Sequence, residues 1–259
     1  CKNCVLPNTR PNIIINKKGI CNACSNHKSK KTIDWQSRRN QLDNIVRKAK
    51  KISGKSNYDC IVPVSGGKDS TWQIIKCLQL GLKPLAVTWK TPGRTKIGSD
   101  NLSNLISQGV DHIDWQINPK IESKFMLKAL KKYGSTAIPM HFSIFNIPIR
   151  IAVQLKIPYV IYGENSAFEY GNKDKKELGF ELNKKWINRY GVTQGTAIHS
   201  WFDKSMTNKD MLSYLPPSDK ELKKSNVKAI FLGHYIRWDP RSTKNFASKY
   251  GFKFPKKPR

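Results

Sequence analysis

Six consecutive residues, Ser65-Gly66-Gly67-Lys68-Asp69-Ser70, follow an apolar run (Ile61, Val62, Val64) and lead into a helix-compatible segment, Ser70 to Leu80. Adjacent glycines let the backbone turn tightly and approach a ligand, and a following helix adds its positive N-terminal end. Strand, glycine turn, helix is the order of a phosphate or pyrophosphate cradle. Lys68 is suited to offset phosphate charge, Ser65 and Ser70 to donate to phosphate oxygens, and Asp69 to anchor magnesium. The spacing is neither G-x-x-x-x-G-K-S/T nor G-x-G-x-x-G. A plain strand-to-helix turn with a capping serine is the competing reading, yet such a turn does not call for this unbroken set of residues.

A second chemistry lies near the start of the sequence. Cys1-Lys2-Asn3-Cys4 and Cys21-Asn22-Ala23-Cys24 are two Cys-x2-Cys pairs separated by 16 residues. Four thiolates at this spacing predict a structural zinc site on a short hairpin, because four protein ligands leave no open coordination position. An iron–sulfur cluster also takes four thiolates, and His27 follows closely as a substitute ligand. Two disulfides are the remaining alternative, disfavoured in a reducing compartment. Cys60 and Cys77 read as small buried hydrophobes.

The elements that must hold these residues follow from periodicity. Trp35, Leu42, Ile45, Val46 and Ala49 recur at helical spacing behind Asp34, a fitting N-cap, so a helix is expected over residues 34–51. Near-continuous apolar runs predict strands at Tyr58–Val64, Leu82–Trp89, Val110–Trp115, Ile157–Tyr162 and Val227–Tyr235. Helices are expected at Asn101–Gln108, Ile121–Tyr133, Ile144–Gln154 (interrupted near Pro148), Asp219–Lys224 and Thr243–Tyr250. Strands of this kind alternating with helices give an α/β fold: a Rossmann-like parallel sheet with helices on both faces, plus an N-terminal zinc knuckle. Ligands of such sheets bind beyond the carboxyl ends of the strands. Arg94 falls there, after the second strand; Glu164 and Asn165 fall there after the fourth, to hold magnesium or orient a nucleophile and to read a substrate amide. A helix cap is the plain reading of Asn165. Glu169, His141 and Arg150 are further candidates, and Gly233-His234 a weaker one. The expected division is residues 1–33 for the cysteine segment, 34–56 for a linking helix, 57–240 for the nucleotide domain and 241–259 for a basic C-terminal segment.

Composition constrains partners. With 47 Lys and Arg against 18 Asp and Glu, the formal charge is +29. Such an excess ordinarily points to a nucleic acid; here lysine is spread over the whole length, so Lys28–Lys31, Arg47–Lys51, Lys173–Lys176 and Lys253–Arg259 read equally well as solvated faces. No apolar run reaches membrane-spanning length and no signal-peptide core precedes the cysteines, so a soluble cytoplasmic protein without a membrane span is expected.

The SGGKDS loop resembles the signature of the PP-loop ATP pyrophosphatase superfamily (adenine nucleotide alpha hydrolase-like fold). That likeness implies adenylation of an oxygen by ATP, release of pyrophosphate, and displacement of AMP by a nitrogen or sulfur nucleophile. Together with residues 1–7, 19–24, 58–64, Gly163-Glu164-Asn165, Phe231–Tyr235 and Trp238-Asp239-Pro240, the sequence is similar to bacterial N-acetyl sugar amidotransferases. These act in surface-polysaccharide (lipopolysaccharide) and nonulosonic-acid pathways, the latter feeding flagellin glycosylation. The family's members continue well beyond Arg259, so the resemblance implies a longer protein. It also implies ATP, magnesium and structural zinc as cofactors, and an N-acetylated, nucleotide-linked sugar as substrate. A partner glutaminase subunit would supply ammonia, together with a cyclase-like subunit.

Three other readings remain in view, one of them a catalytically idle structural subunit, against which Lys68, Asp69 and Glu164 argue only weakly. A tRNA-modifying enzyme of the same superfamily, thiolating or otherwise adenylation-dependent, would give the basic charge a direct purpose. A zinc-knuckle nucleic-acid-binding module on a degenerate nucleotide fold is the third; the intact loop speaks against it.

Overall fold

The computed structural model describes residues 1–10, 12–55, 57–170, 181–182, 187, 193 and 195–255. The lysine cluster 173–176, Leu178, Trp186 and the last four residues of the basic run 253–259 lie outside the described residues. Five strands, β1 (Cys60–Pro63), β2 (Pro84–Trp89), β3 (Asp111–Trp115), β4 (Tyr159–Tyr162) and β5 (Lys228–Phe231), form one sheet in the order β3-β2-β1-β4-β5. Every neighbouring pair is parallel.

The period of two along each strand sorts the core into two layers. Cys60, Val62 and Val64 face one side, where Leu42, Val46 and Ala49 of α2 (Trp35–Ile52), Trp72, Ile74 and Cys77 of α3 (Lys68–Gln79) and Leu102 and Leu105 of α4 (Lys96–Ile106) cover them. Ile61, Val87, Val160 and Phe231 face the other, against Phe125 and Ala129 of α5 (Pro119–Tyr133) and Phe142, Ile147 and Ile151 of α6 (Ala137–Leu155). Helices on both faces explain why β1, β2 and β4 are buried without alternation, whereas the edge strand β3, Asp111-His112-Ile113-Asp114-Trp115, stays partly exposed.

Helix starts follow local capping. Asp34 accepts from the Ser37 N–H at 2.9 Å, and Asn118 from the Lys120 N–H at 3.0 Å. Helix Asp219–Ser225 opens with a reciprocal Ser218/Glu221 capping box. The helix expected from Asn101 begins at Lys96 instead, because Thr95 accepts from the Gly98 N–H and sets an earlier first turn.

Two expectations are corrected. The helix thought to start at Ile144 and break near Pro148 runs unbroken from Ala137 to Leu155. Proline removes the N–H that would bond the carbonyl four residues earlier; that carbonyl, Ile144, instead accepts from the Tyr162 hydroxyl at 3.3 Å, and Phe145 O accepts from it at 3.0 Å. The apolar run to Tyr235 is strand only as far as Phe231. Leu232–Tyr235 forms one helical turn, and the Gly233 N–H donates to Gly163 O at 2.8 Å. No helix among the described residues is long and apolar enough to cross a membrane.

Candidate functional site

From β1 the chain builds outward through β2 to β3, then returns to place β4 on the other side of β1. The carboxyl ends of β1 and β4 therefore flank the topological switch point, the usual ligand crevice of an open parallel sheet. The loop Ser65–Gly67 leaves β1 there, and Gly163–Asn165 leaves β4 beside it.

The loop's shape depends on Gly66. Its φ is +76°, and a Cβ at this position would stand 2.9 Å from Gly98 O and 3.1 Å from Leu102 N, on the first turns of α4. Gly67 is the N-cap of α3 without any side-chain cap, so the helix N-terminus is left open to an anion. Ser70 Oγ donates to Gly67 O at 2.9 Å and lies 3.4 Å from the Ser65 N–H, so this serine closes the loop on itself. Lys68 Nζ is paired with the Asp69 carboxylate at 2.6 and 2.7 Å. Both side chains remain partly exposed, at 28% and 40%. A carboxylate oxygen is the kind of hard ligand that magnesium takes, and Asp69 presents one in the first turn of α3.

Across the crevice, Glu164 follows β4 next to Gly163. A Cβ on Gly163 would stand 3.0 Å from Gln73 Oε1, and one on Gly233 would stand 3.6 Å from Glu164 Cα and 3.5 Å from Trp238 Cβ. Gln73 is buried and donates to Ile161 O, locking α3 to β4. Trp238 sits over the loop, its ring centroid 5.6 Å from Lys68 Nζ. Trp238 thus packs beside Lys68 on one side and beside the Gly233 backbone on the other, and Gly233 adjoins the Gly163-Glu164 backbone. Asn165 is buried and caps α7 (Ser166–Tyr170): its backbone O accepts from the Phe168 and Glu169 N–H groups.

Other candidates are engaged elsewhere. Arg94 forms a two-pronged pair with Asp114, both contacts 2.7 Å, and the guanidinium holds that carboxyl below the usual carboxylate range. His141 Nδ1 lies 2.8 Å from Ala137 O in its own first turn, and burial lowers its pKa; no hydrogen bond among the described residues joins it to the loop. Arg150 donates to Leu215 O at 2.9 Å. His234 is half-buried, with its pKa pushed down to about 4 by burial and by the cation of Arg38.

The cysteine centre is compact. Sγ atoms of Cys1, Cys4, Cys21 and Cys24 all lie within 4.8 Å of one another, with Cys1 to Cys24 at 3.9 Å and Cys4 to Cys21 at 3.6 Å. Zn–S bonds of about 2.3 Å give tetrahedral edges of about 3.8 Å, so the donor set fits one tetrahedral ion and is too tight for a multi-iron cluster. Backbone N–H groups of Cys21 and Cys24 point at Cys1 Sγ and Cys21 Sγ at 3.2 and 3.4 Å, as thiolates require. Val5, a β-branched residue, is held at φ +54° beside the first pair, a strained geometry that a bound ion would over-determine. His27 is not among the converging ligands.

Sequence reasoning passed over Lys30. It belongs to a run taken as equally suited to a solvated face, yet its side chain is 6% exposed, paired at 2.7 Å with Glu169, itself 11% exposed. Burial raises the Glu169 carboxyl above its ordinary range against the pull of that ammonium. Glu169, a candidate for the crevice, is thereby committed to the docking of the cysteine segment.

Neither a family model nor a curated protein matches the sequence. Among solved structures, a predicted subunit of a tRNA methyltransferase from Methanocaldococcus jannaschii is 16% identical over 73% of this chain and 73% of its own, with a TM-score of 0.38. NMN synthetase from Francisella tularensis is 15% identical over 87% and 99%, with a TM-score of 0.37. The NH3-dependent NAD synthetase from Campylobacter jejuni, in complex with a nitrate ion, is 18% identical over 88% and 100%, with a TM-score of 0.41. Likenesses of this size do not bear on activity. The chain's own strand order and loop make it an α/β protein with a glycine-shaped loop and a helix N-terminus free of a side-chain cap at the switch point of its sheet.

Proposed function

We propose that this protein is an ATP-dependent, AMP-forming amidotransferase of the PP-loop type. The observation that carries the reading is the intact Ser65–Ser70 loop at the switch point, with the α3 N-terminus uncapped by any side chain and Lys68 and Asp69 in its first turn. ATP is a substrate whose pyrophosphate the loop would cradle. Asp69, with Glu164 opposite, would hold magnesium; when bound, that ion supplies charge stabilisation to phosphate oxygens.

The acceptor is the acetamido group of an N-acetylated, nucleotide-linked sugar. Its oxygen attacks the α-phosphorus and pyrophosphate leaves; ammonia then adds to the activated carbon, and AMP departs to give an acetamidino group. A neutral amide needs this activation because its oxygen is otherwise a poor leaving group. Ammonia comes from a partner glutaminase, since free ammonia is mostly protonated at neutral pH. Zinc occupies the four-cysteine centre as a structural ion.

The competing acceptor is tRNA, favoured by the +29 charge. Thiolation by an active-site cysteine finds little support: Cys60 and Cys77 are fully buried, Cys60 with a thiol pKa raised by Cys77 and by desolvation, and the other four converge on one another. The test supplies ATP, magnesium and ammonium with either a UDP-linked N-acetyl sugar or bulk tRNA. AMP release that depends on the sugar is expected; release that depends on tRNA alone overturns the acceptor. Asp69→Asn should lower AMP release by about 100-fold, the scale of losing one preorganised charge-stabilising group, with the melting temperature held.

A further inference from the structure

Trp238 is where the cysteine segment and the glycine loop meet. Lys68 of the loop stands 5.6 Å from its ring centroid, and Lys30 of the cysteine segment stands 5.7 Å from the same ring. Lys30 also reaches the Trp238 carbonyl at 3.3 Å. It has little freedom to leave: the Glu169 carboxylate is 2.7 Å away, the Phe168 ring 5.6 Å, and α1 (Asn22–Ser29) is tied to the same turn by Asn26 Nδ2 donating to Phe168 O at 3.1 Å.

Neither feature makes sense as plain stabilisation. A buried lysine–glutamate pair recovers at best its own desolvation cost, and an apolar pair of similar volume would serve the packing as well. Among the described residues the buried Trp238 Nε1–H has no acceptor, a further cost that the site carries. What the arrangement does supply is position. Lysine has a long, flexible stem, and an ammonium at the mouth of a phosphate loop is useful only where the phosphates arrive. Lys68 is bonded to Asp69 in this structure. When a polyphosphate draws the ammonium away from Asp69, the indole face 5.6 Å off is a wall along which it can move.

We propose that Trp238 is a positioning residue for Lys68, and that Lys30 transmits to it the position of the four-cysteine centre, so that the ion at the cysteines governs affinity for a nucleoside triphosphate at the Ser65–Ser70 loop, through a tryptophan that lies 208 positions from Lys30 in the sequence. This rests on the reading of the loop as an ATP site. The device is a short chain: cysteine centre, α1, Lys30, Trp238, Lys68.

The experiment measures MgATP binding to the full chain by calorimetry, with metal content and thermal melting recorded for each variant. Trp238→Leu should weaken MgATP about tenfold, while Trp238→Phe, which keeps an aromatic face, stays within about threefold of wild type. Lys30→Met should reproduce the loss with one metal ion per chain still bound. Stripping the metal from wild type should give a loss of the same size, and stripping it from Lys30→Met should add none. Lys68→Ala and Trp238→Leu should be non-additive when combined. Indole fluorescence should change on MgATP addition in wild type and not in Trp238→Phe.

Wild-type affinity in Trp238→Leu, additivity with Lys68→Ala, or equal losses in the Phe and Leu variants would each overturn the proposal. If wild type binds MgATP through Lys68 and Trp238→Leu changes nothing, this inference alone fails. If wild type binds no MgATP, the ATP reading falls with it.

Discussion

The protein holds two sites built to surround something, and they are finished to different degrees. At the cysteine centre four sulfurs converge within 4.8 Å, and backbone N–H groups and the Asn3 side-chain amide already point at them. At the glycine loop the polar groups face one another: Lys68 takes Asp69, and Ser70 takes the Gly67 carbonyl. The first site is complementary to a ligand and to no other arrangement of itself. The second is satisfied without one and must exchange partners when a ligand arrives. A site of the first kind contributes to folding, since a preformed ligand set does not exist in the unfolded chain. A site of the second kind contributes to turnover and leaves stability nearly untouched.

The sharpest way to break this contrast is to remove one sulfur. Cys24→Ser should abolish stoichiometric metal binding and lower stability by several kcal/mol, because structural zinc sites couple roughly 10 kcal/mol or more of binding to folding. Metal analysis together with urea unfolding checks it. A Cys24→Ser chain that keeps its midpoint would mean that the centre adds nothing to the fold, and the contrast would dissolve.

Gly66→Ala strikes the boundary between the two kinds of site. A Cβ there meets Gly98 O at 2.9 Å, and φ is +76°. The left-handed backbone alone costs a non-glycine residue about 1–2 kcal/mol, so a midpoint shift of that size is expected. The loop must also move relative to α4, and displacement of about 1 Å at a reacting centre costs about 100-fold in rate. AMP release should therefore fall far more than the stability loss would produce. Near-normal release would show that the loop tolerates reshaping and that its glycine is a plain turn residue.

What could be read in advance divides along the same line. The loop and the cysteine pairs were legible because each writes its chemistry in contiguous residues: two glycines beside Lys68 and Asp69, two cysteines three positions apart. Strand identity was legible because burial on both faces leaves apolar runs. Lys30 was not, because a lysine inside Lys28–Lys31 looks like its neighbours until Glu169, far away in sequence, is seen against it. Trp238 carries no signal of its own beyond the family resemblance, since nothing local says that an indole lies within reach of two cations. Pro148 was misread as a break because proline is local punctuation, while the Tyr162 hydroxyl that replaces the lost bond comes from β4. Leu232–Tyr235 was misread as strand because four apolar-rich residues carry no period.

The smallest expected effect tests whether the rim of the crevice carries a burden that the cysteine centre does not. His234 follows Gly233, its backbone carbonyl accepts from Arg38 Nη1 at 2.8 Å, and its pKa lies near 4. An unfolded chain returns the ring to about 6.5. Above pH 6.5 the imidazole is neutral in both states and contributes no pH dependence. As pH falls from 6.5 to about 4 the unfolded chain gains a proton that the folded chain refuses, so stability declines; below about 4 both states are protonated and the decline stops. Because the ring is only half-buried, solvent screens the effect, and about 1 kcal/mol across that window is expected. His234→Gln should unfold at a urea midpoint close to wild type at pH 7.5 and at a higher one at pH 4.5. Metal loss in acid lowers both curves alike, so the difference between the two proteins isolates the histidine. Parallel curves for the two proteins would place His234 in solvent-like surroundings and leave the rim with no proton-linked cost.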